Sequence, residues 1–535
     1  LHLQETKWGW IVAGGNSQGA EIVLNSCMFT CTEHDISLSE QIEMFWKIEE
    51  CTSNETWSNE EKLCVEHFTK NTRRDESGKF IVKLLLKDNV VQLGKSYDIA
   101  MHRFLSLERR LEKFPEIYNQ YRDFIQVYCE LGHMEEVIDN EINIDRRDYV
   151  YIPHSYVVNE DSRTTKLRVV LDASSKTDTG ISLNDVLMKG PVIQEKLIKI
   201  IARFRTHKYA FSSDITKMYR QVWIDKSHRN YQRILWRPNK DEEIKIYRLY
   251  TVTYGTVSAS FQAIKCLSML AEETKNKLIS NIIKYDFCMD DCFTGGFSIL
   301  KTIQLRNDLI STLGKGGFTM AKWTANNDEL IKNIPNVNSS EFTSLDLGED
   351  VVKTVGLFWE PRSDYLSYRI KLSENEACTK REILSHISNL FDPLGLVGPI
   401  IIVAKIIMQT LWLEKVDWDE HLSEEIRTKW KHFWYELKSI NTIKIPRWVN
   451  TGGCTRIEIL GFADASSYAY GACLYVRNVS VKQKVAVRLI CAKSRVAPLK
   501  TTSIPGLELC AAVLLTRLAK NIISTLRIHI THQYW

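Results

Sequence analysis

Three aspartates offer the most definite chemistry in this chain. Asp214 lies in Phe211-Ser-Ser-Asp-Ile-Thr-Lys-Met-Tyr219, and the adjacent Asp290 and Asp291 lie in Tyr285-Asp-Phe-Cys-Met-Asp-Asp-Cys-Phe293. Neighbouring carboxylates repel one another and need a cation. Hard dications favour carboxylate oxygens, and two Mg²⁺ ions on three such groups can activate a hydroxyl nucleophile and hold a triphosphate. By itself an acidic pair is most often a solvated turn, so its surroundings must decide.

The apolar, β-prone residues on either side of the pair predict a hairpin whose turn carries the two acids, beside a strand that ends at Asp214. Periodicity predicts strands at 166–171, 208–212 and 284–297 and helices at 192–204 and 261–278, an α+β core. Ahead of it, residues 1–35 alternate like short strands, and a helical stretch to about 134 is interrupted by a strand at 79–86. Behind it come a hairpin within 350–375, a helical segment over 380–438 with Trp412, Trp418, Trp430 and Trp434, strands at 457–476 and 485–492, and a helix at 506–526.

Composition bounds the reading. At about 100 to 200 residues per domain, 535 residues predict three or four domains. With 44% hydrophobic and 25% charged residues the chain is an ordinary globular one, which excludes a disordered or collagen-like protein. The net charge of +4 is far from that of a polycation, so nucleic acid would have to be held by local basic patches. The 13 cysteines form no tight framework, which suits reduced thiols, and Cys27, Cys31 and His34 lack a fourth ligand at zinc-knuckle spacing. The most apolar stretch, 400–408, contains Lys405 and is too short to cross a bilayer.

Six motifs then occur in order. Lys166-Leu-Arg-Val-Val-Leu-Asp172, Asp214 with Tyr219, Thr253-Tyr-Gly-Thr-Val-Ser-Ala-Ser260, Cys288-Met-Asp-Asp291, Gly317-Phe-Thr-Met-Ala-Lys322-Trp and Val355-Gly-Leu-Phe-Trp359 together resemble the ordered motifs of retroelement reverse transcriptases. Tyr151-Ile-Pro-His154, Val169-Val-Leu-Asp-Ala-Ser174, Ser182-Leu-Asn-Asp-Val-Leu187 and Phe391-Asp-Pro-Leu-Gly395 are similar to the Pol polyprotein of BEL/Pao LTR retrotransposons. The resemblance implies a right-hand polymerase of fingers, palm and thumb with an α-rich lead-in, a helical connection segment and a partial ribonuclease H-like α/β domain. The implied boundaries are 1–35, the tail of a retropepsin-like protease; 36–148, the lead-in; 149–330, fingers and palm; 331–379, a palm/thumb hairpin region; 380–450, thumb and connection; and 451–535, the ribonuclease H-like part.

By the same resemblance Asp214, Asp290 and Asp291, with the carbonyl of Ile215, would hold two Mg²⁺ ions, Mn²⁺ being an alternative. Tyr219 would crowd the 2′ carbon of an incoming nucleotide. Arg168 and Lys166 would grip its triphosphate, Tyr254 and Gly255 would border it, and Lys322 would protonate the leaving pyrophosphate. The implied partners are RNA template, DNA primer, RNA/DNA hybrid, deoxynucleoside triphosphates and the rest of the polyprotein, without membrane. The implied location is a virus-like particle in the cytoplasm, with the nucleus as an alternative and secretion excluded.

Two positions depart from the pattern. Cys288 replaces the usual tyrosine of the acidic motif, and Ser260 stands where a proline usually stiffens the Gly255 loop. The second motivates an alternative, a catalytically dead remnant that only binds nucleic acid or partner proteins. In the last part Asp464 and Glu508 match two ribonuclease H carboxylates, while 509–535 holds no aspartate, so nuclease activity is not expected. No catalytic Asp-Ser/Thr-Gly occurs near residues 1–35, so protease activity is not expected either. Both ends read as cuts through neighbouring domains, as in a window from a longer polyprotein.

Overall fold

The computed structural model describes residues 2–6, 9–13, 57–138, 146, 149–158, 167–334, 345–346, 355–370, 377–388 and 390–535. They fall in two compact units, Leu1–Thr56 and Trp57–Trp535. In the first, β1 (His2–Thr6) and β2 (Gly9–Ala13) pair antiparallel, with Thr6 opposite Gly9. Cys27, Cys31 and His34 lie outside the described residues.

The second unit opens on α1 (Asn59–Asn71), started by a capping box in which Ser58 and Glu61 satisfy each other's backbone N–H. After β3 (Arg73–Arg74) and β4 (Phe80–Val82) come α2 (Tyr97–Leu111), α3 (Pro115–Glu130) and β5 (Met134–Glu136). These elements share one buried core with the acid-bearing region C-terminal to them, since Phe68, Phe104 and Tyr121 pack in the same cluster as Val169, Phe211 and Phe261. β6 (His154–Val158) and β7 (Leu167–Leu171) form a hairpin, and α4 (Leu197–Phe204) leads into β8 (Tyr209–Ile215). The helix expected from 192 thus begins only at Leu197; Val192 is exposed and has no buried face to offer.

Next come β9 (Trp223–Ile224), β10 (Arg233–Trp236), β11 (Lys245–Leu249), α5 (Ala259–Glu273) and α6 (Lys277–Tyr285). The single helix expected at 261–278 is therefore two. Asn276 restarts it by accepting the N–H groups of Leu278 and Ile279, and α6 runs on to Tyr285, through positions expected to be strand. β12 (Phe287–Cys288), β13 (Asp291–Gly296), α7 (Ile299–Gly314) and β14 (Met320–Ala325) complete a sheet of order β12-β13-β8-β14. β8 is covered on both faces, which explains why it reads as a nearly unbroken apolar and small-residue run.

Further on, β15 (Leu345–Asp346), β16 (Val355–Glu360) and β17 (Tyr365–Ile370) precede α8 (Lys380–Ser388), α9 (Gly398–Leu413) and α10 (Glu424–Glu436), and β18 (Lys444–Pro446) returns to the edge of β17. Trp430 and Trp434 stack with His386 in a buried cluster, a packing role. Between α8 and α9, the Phe391-Asp-Pro-Leu-Gly395 motif makes a joint. Asp392 accepts the Tyr368 hydroxyl and the N–H groups of Leu396 and Val397, and a Cβ on Gly395 would lie 1.9 Å from the Ala492 carbonyl oxygen. Glycine is thus needed where this turn meets the last sheet.

That sheet consists of β19 (Cys454–Ala465), β20 (Ala469–Ser480), β21 (Val485–Val496) and, after α11 (Ile504–Leu526), β22 (His532–Tyr534). Its order is β21-β20-β19-β22, and β22 alone runs parallel to its neighbour. α11 is long and apolar enough to cross a bilayer by length and composition, which periodicity at 506–526 did not suggest. Here it is a core helix, burying Leu507, Ala511, Leu518 and Ile522 against β19, β20 and α4.

Candidate active site

The acid-bearing sheet gathers the three aspartates at one end. Asp291 opens β13 directly across from Asp214 in β8, and Asp214 faces Ala321 of β14 on its other side. Cys288 pairs with Asp291, so Met289 and Asp290 are the two residues of a tight turn. Met289 holds a left-handed backbone, φ +54°. Its N–H donates to Gln194 Oε1 at 2.8 Å, and its carbonyl accepts from Gln194 Nε2 at 3.3 Å, so one side-chain amide brackets the turn. The Ile215 N–H donates to the Asp290 carbonyl at 2.9 Å, tying the turn to β8.

Asp214 is buried at 8% exposure, and its Oδ1 has no hydrogen-bond partner. Its Oδ2 lies 2.6 Å from Lys322 Nζ. Lys322 reaches it from a bulge in β14 and a left-handed backbone, φ +49°. Burial works against the Lys322 charge, but the hydrogen bond to Asp214 and the charges of Asp214, Asp291 and Asp290 outweigh it and hold the ammonium above the ordinary lysine value. Among the described residues, no three His, Cys, Asp or Glu side chains converge into a ready-made metal cluster. The orphaned Asp214 oxygen nonetheless fits a cation. A buried carboxylate oxygen without a donor is costly, and a dication joined by Asp290 and Asp291 would satisfy it.

Beside Asp290 lies a cavity of about 210 Å³ lined by Lys217, Met218, Tyr219, Arg220, Tyr254 and Met289. Two cations, two tyrosines and one acid suit an anionic, ring-bearing ligand. Arg220 stacks over Tyr128 at 4.1 Å and hydrogen-bonds Tyr254, whose hydroxyl is pushed up by burial. The Tyr219 hydroxyl lies 3.1 Å from Ser260 Oγ. Ser260 is the second residue of α5, where the backbone N–H needs no helical partner, so the residue expected to stiffen a loop instead tethers an aromatic ring.

Gly255 has φ +93°, and a Cβ there would sit 2.1 Å from the Leu171 carbonyl oxygen. Its contact with β7 and its backbone conformation both require glycine there. Asn184 holds the same loop, donating to the Gly255 carbonyl at 3.0 Å and accepting the Val257 N–H at 2.9 Å. Arg168 lies in β7 opposite Val157 and is half-buried. Lys166 is outside the described residues.

In the last sheet, Asp464 is exposed near the end of β19 opposite Gly471, with Oδ1 accepting the N–H of Ala465. Glu508 is exposed near the start of α11. Sequence reasoning missed Gln194, Asn184, Lys217 and Arg220. Asn184 lies within the Ser182–Leu187 motif and Lys217 and Arg220 flank Tyr219, but no local signal marks Gln194.

A sheet that ends in three aspartates, joined to a mixed sheet with one parallel edge strand and a packed helix, defines an α+β chain with an acidic site. Residues 379–535 match the family described as Pao retrotransposon-like RNaseH-like domain, a match that takes in α8–α10 as well as the last sheet. No curated protein matches the chain. Among solved structures it is similar to a foamy viral protease-reverse transcriptase dRH in complex with double-stranded DNA, at 12% identity and TM-score 0.45 over 76% of this chain and 60% of that one. It is also similar to a foamy viral protease-reverse transcriptase in complex with RNA/DNA hybrid, at 13% identity and TM-score 0.43 over 77% and 47%. The chain spans less than two thirds of either protein, and likeness at this level carries no argument about the site.

Proposed function

We propose that residues 149–330 are the fingers and palm of an RNA-directed DNA polymerase of a BEL/Pao-type retrotransposon. The observation that carries this reading is Asp291 in register with Asp214, an unsatisfied Asp214 oxygen, and Asp290 in the adjoining turn at the edge of a cation-lined cavity. The motif order of the sequence and the family match of 379–535 support it.

Asp214, Asp290 and Asp291 would hold two Mg²⁺ ions, with the Ile215 carbonyl as a further ligand. Bound there, the ions would lower the pKa of a primer 3′-hydroxyl and neutralise the triphosphate. The protein's own part is positional. Gln194 and the Ile215 N–H fix the turn, so the carboxylates need little reorganisation when charge develops. Tyr219 walls the nucleotide cavity, Lys217 and Arg220 offset phosphate charge, and Arg168 reaches the triphosphate from β7. Lys322 keeps its proton at neutral pH and can deliver it to pyrophosphate after leaving Asp214. Template and primer would be gripped mainly through phosphates, so binding should weaken steeply with salt.

The test is primer extension by the purified chain on poly(rA)/oligo(dT) with Mg²⁺. Extension that Asp290→Asn abolishes is the expected result. Extension that survives this change would sink the site, and duplex binding with no incorporation by the unaltered chain would establish the binding-only remnant.

A further inference from the structure

Three arginines, Arg203, Arg205 and Arg447, are buried where the acid-bearing sheet, β18 and the last sheet meet. Arg205 donates to the carbonyls of Ile490, Arg447 and Pro446, and Arg447 pairs with Asp364 and donates to the carbonyls of Phe204 and His207. Those two bind framework. Arg203 differs, because one of its partners is the base of the catalytic turn.

Arg203 is 3% exposed near the end of α4. Its Nε donates to Asp286 Oδ1 at 2.6 Å, one Nη donates to the Tyr285 carbonyl, and the other donates to the Thr525 carbonyl of α11 at 3.3 Å. Asp286 in turn closes the hairpin. Its N–H donates to Ile282 of α6, its carbonyl accepts the Phe293 N–H of β13 at 2.9 Å, and its second carboxylate oxygen accepts the Thr294 hydroxyl at 2.8 Å. Asp286 lies four positions before Asp290, with β12 between them. The third arm of Arg203 meets the C-terminal end of α11, where the last carbonyls lack helical donors and the helix dipole favours a cation. Arg527, the residue that caps α11, stacks its guanidinium over Tyr285 at 4.7 Å, so the C-terminal domain touches the same spot a second time.

We infer that Arg203 is a positioning residue through which the docked end of α11 holds the base of the Asp290–Asp291 hairpin, so that the C-terminal domain helps to keep the acidic turn in place. A guanidinium is required because three acceptors lie in three directions around one planar fork; a lysine ammonium could keep the charge and the Asp286 contact but would not span the two carbonyls. The joint rests on geometry alone, and only its effect on catalysis rests on the polymerase reading.

Hydrogen exchange on the whole chain tests it without turnover. In Arg203→Lys, amides of the 286–294 hairpin should exchange about tenfold faster, the expected loss of charge-assisted hydrogen bonds in a local opening, while amides of α1 and of β16–β17 stay unchanged. Arg527→Gly keeps the left-handed cap of α11, φ +51°, and removes only the stacked cation, so it should fold and show a smaller acceleration confined to the same hairpin. If Arg203→Lys fails to fold, Arg527→Gly decides alone. Unchanged hairpin exchange, or equal acceleration throughout the chain, would overturn the inference. In primer extension, Arg203→Lys should lower kcat and leave the KM for nucleotide in place; hairpin acceleration in a chain that never extends a primer would uphold the joint and refute the polymerase reading.

Discussion

Two sheets in this molecule end strands in carboxylates, and they treat them in opposite ways. In the β12-β13-β8-β14 sheet, Asp214 is buried, leaves one oxygen unsatisfied and gives the other to Lys322, with Asp291 across the strand pair. In the β21-β20-β19-β22 sheet, Asp464 is exposed and accepts its neighbour's N–H, and Glu508 of the packed helix α11 is exposed as well. A carboxylate held in a dry, charged setting is poised to take up a cation, whereas one bathed in water gains little from doing so. The sequence already sets the two apart, because no further aspartate follows Glu508, and burial adds a physical difference between them.

The sharpest way to break that contrast is to neutralise one acid in each sheet. Asp290→Asn should reduce primer extension by about a thousandfold or more, several kcal/mol of lost charge stabilisation, and Asp464→Asn should leave it unchanged. Equal losses would mean that the two sheets serve one reaction. Next in size is the frame that joins them. Arg447→Met takes the guanidinium from three carbonyls and from Asp364, which keeps only the Trp359 and Asn326 N–H donors, and should lower unfolding stability by about 3 kcal/mol in urea titrations. Arg381→Met, which breaks an exposed pair with Asp419, should leave the midpoint where it is.

The third effect depends on pH. Burial pushes the His154 imidazole down to about 4, against a smaller upward pull from the Leu235 carbonyl. Between the ordinary value of 6.5 and about 4, the unfolded chain takes up a proton that the fold refuses, so stability should fall as pH drops through this window and level off below it. Urea midpoints from pH 7.5 to 4 should show this slope, and His154→Gln should reduce it by that residue's share, since burial also pushes His133 and His207 down; an unchanged slope would show that His154 contributes none of it. The smallest effect is on selectivity. Ser260→Ala removes one hydrogen bond to Tyr219, worth about 1 kcal/mol, and should lower the deoxyribonucleotide-to-ribonucleotide ratio of kcat/KM by a few fold. An unchanged ratio would reduce that contact to packing.

How much of the molecule is legible in its sequence depends on how local each feature is. The acidic turn was legible because Phe287 and Cys288 on one side and Cys292 and Phe293 on the other are β-prone, and its strand neighbour because Phe211 to Ile215 is apolar or small. The last sheet was legible from alternation in β19 and β20. By contrast, the buried arginines look like ordinary solvated charges until strands far apart in the sequence supply their carbonyls. Gln194 is one glutamine in a polar stretch until the turn folds against it. Ser260 looked like decay because proline was the expected residue, and only the fold shows the Tyr219 hydroxyl within its reach. The split of 261–278 into two helices hinged on Asn276, a cap whose strength local periodicity does not weigh.

The left-handed backbones at Lys217, Met289 and Lys322 carry a consequence for laboratory evolution. Each is a non-glycine residue beside Asp214 or the acidic turn, and each such conformation costs roughly 1 to 2 kcal/mol. Selection of this chain for heat resistance alone should therefore enrich glycine at Lys217 and Met289, but not at Lys322, whose loss would leave the buried Asp214 unpaired. Such variants would unfold later while losing side chains that line the cavity. A thermostable lineage with glycine in place of Lys217 and Met289 would be recognisable as one that had stopped being selected for its chemistry.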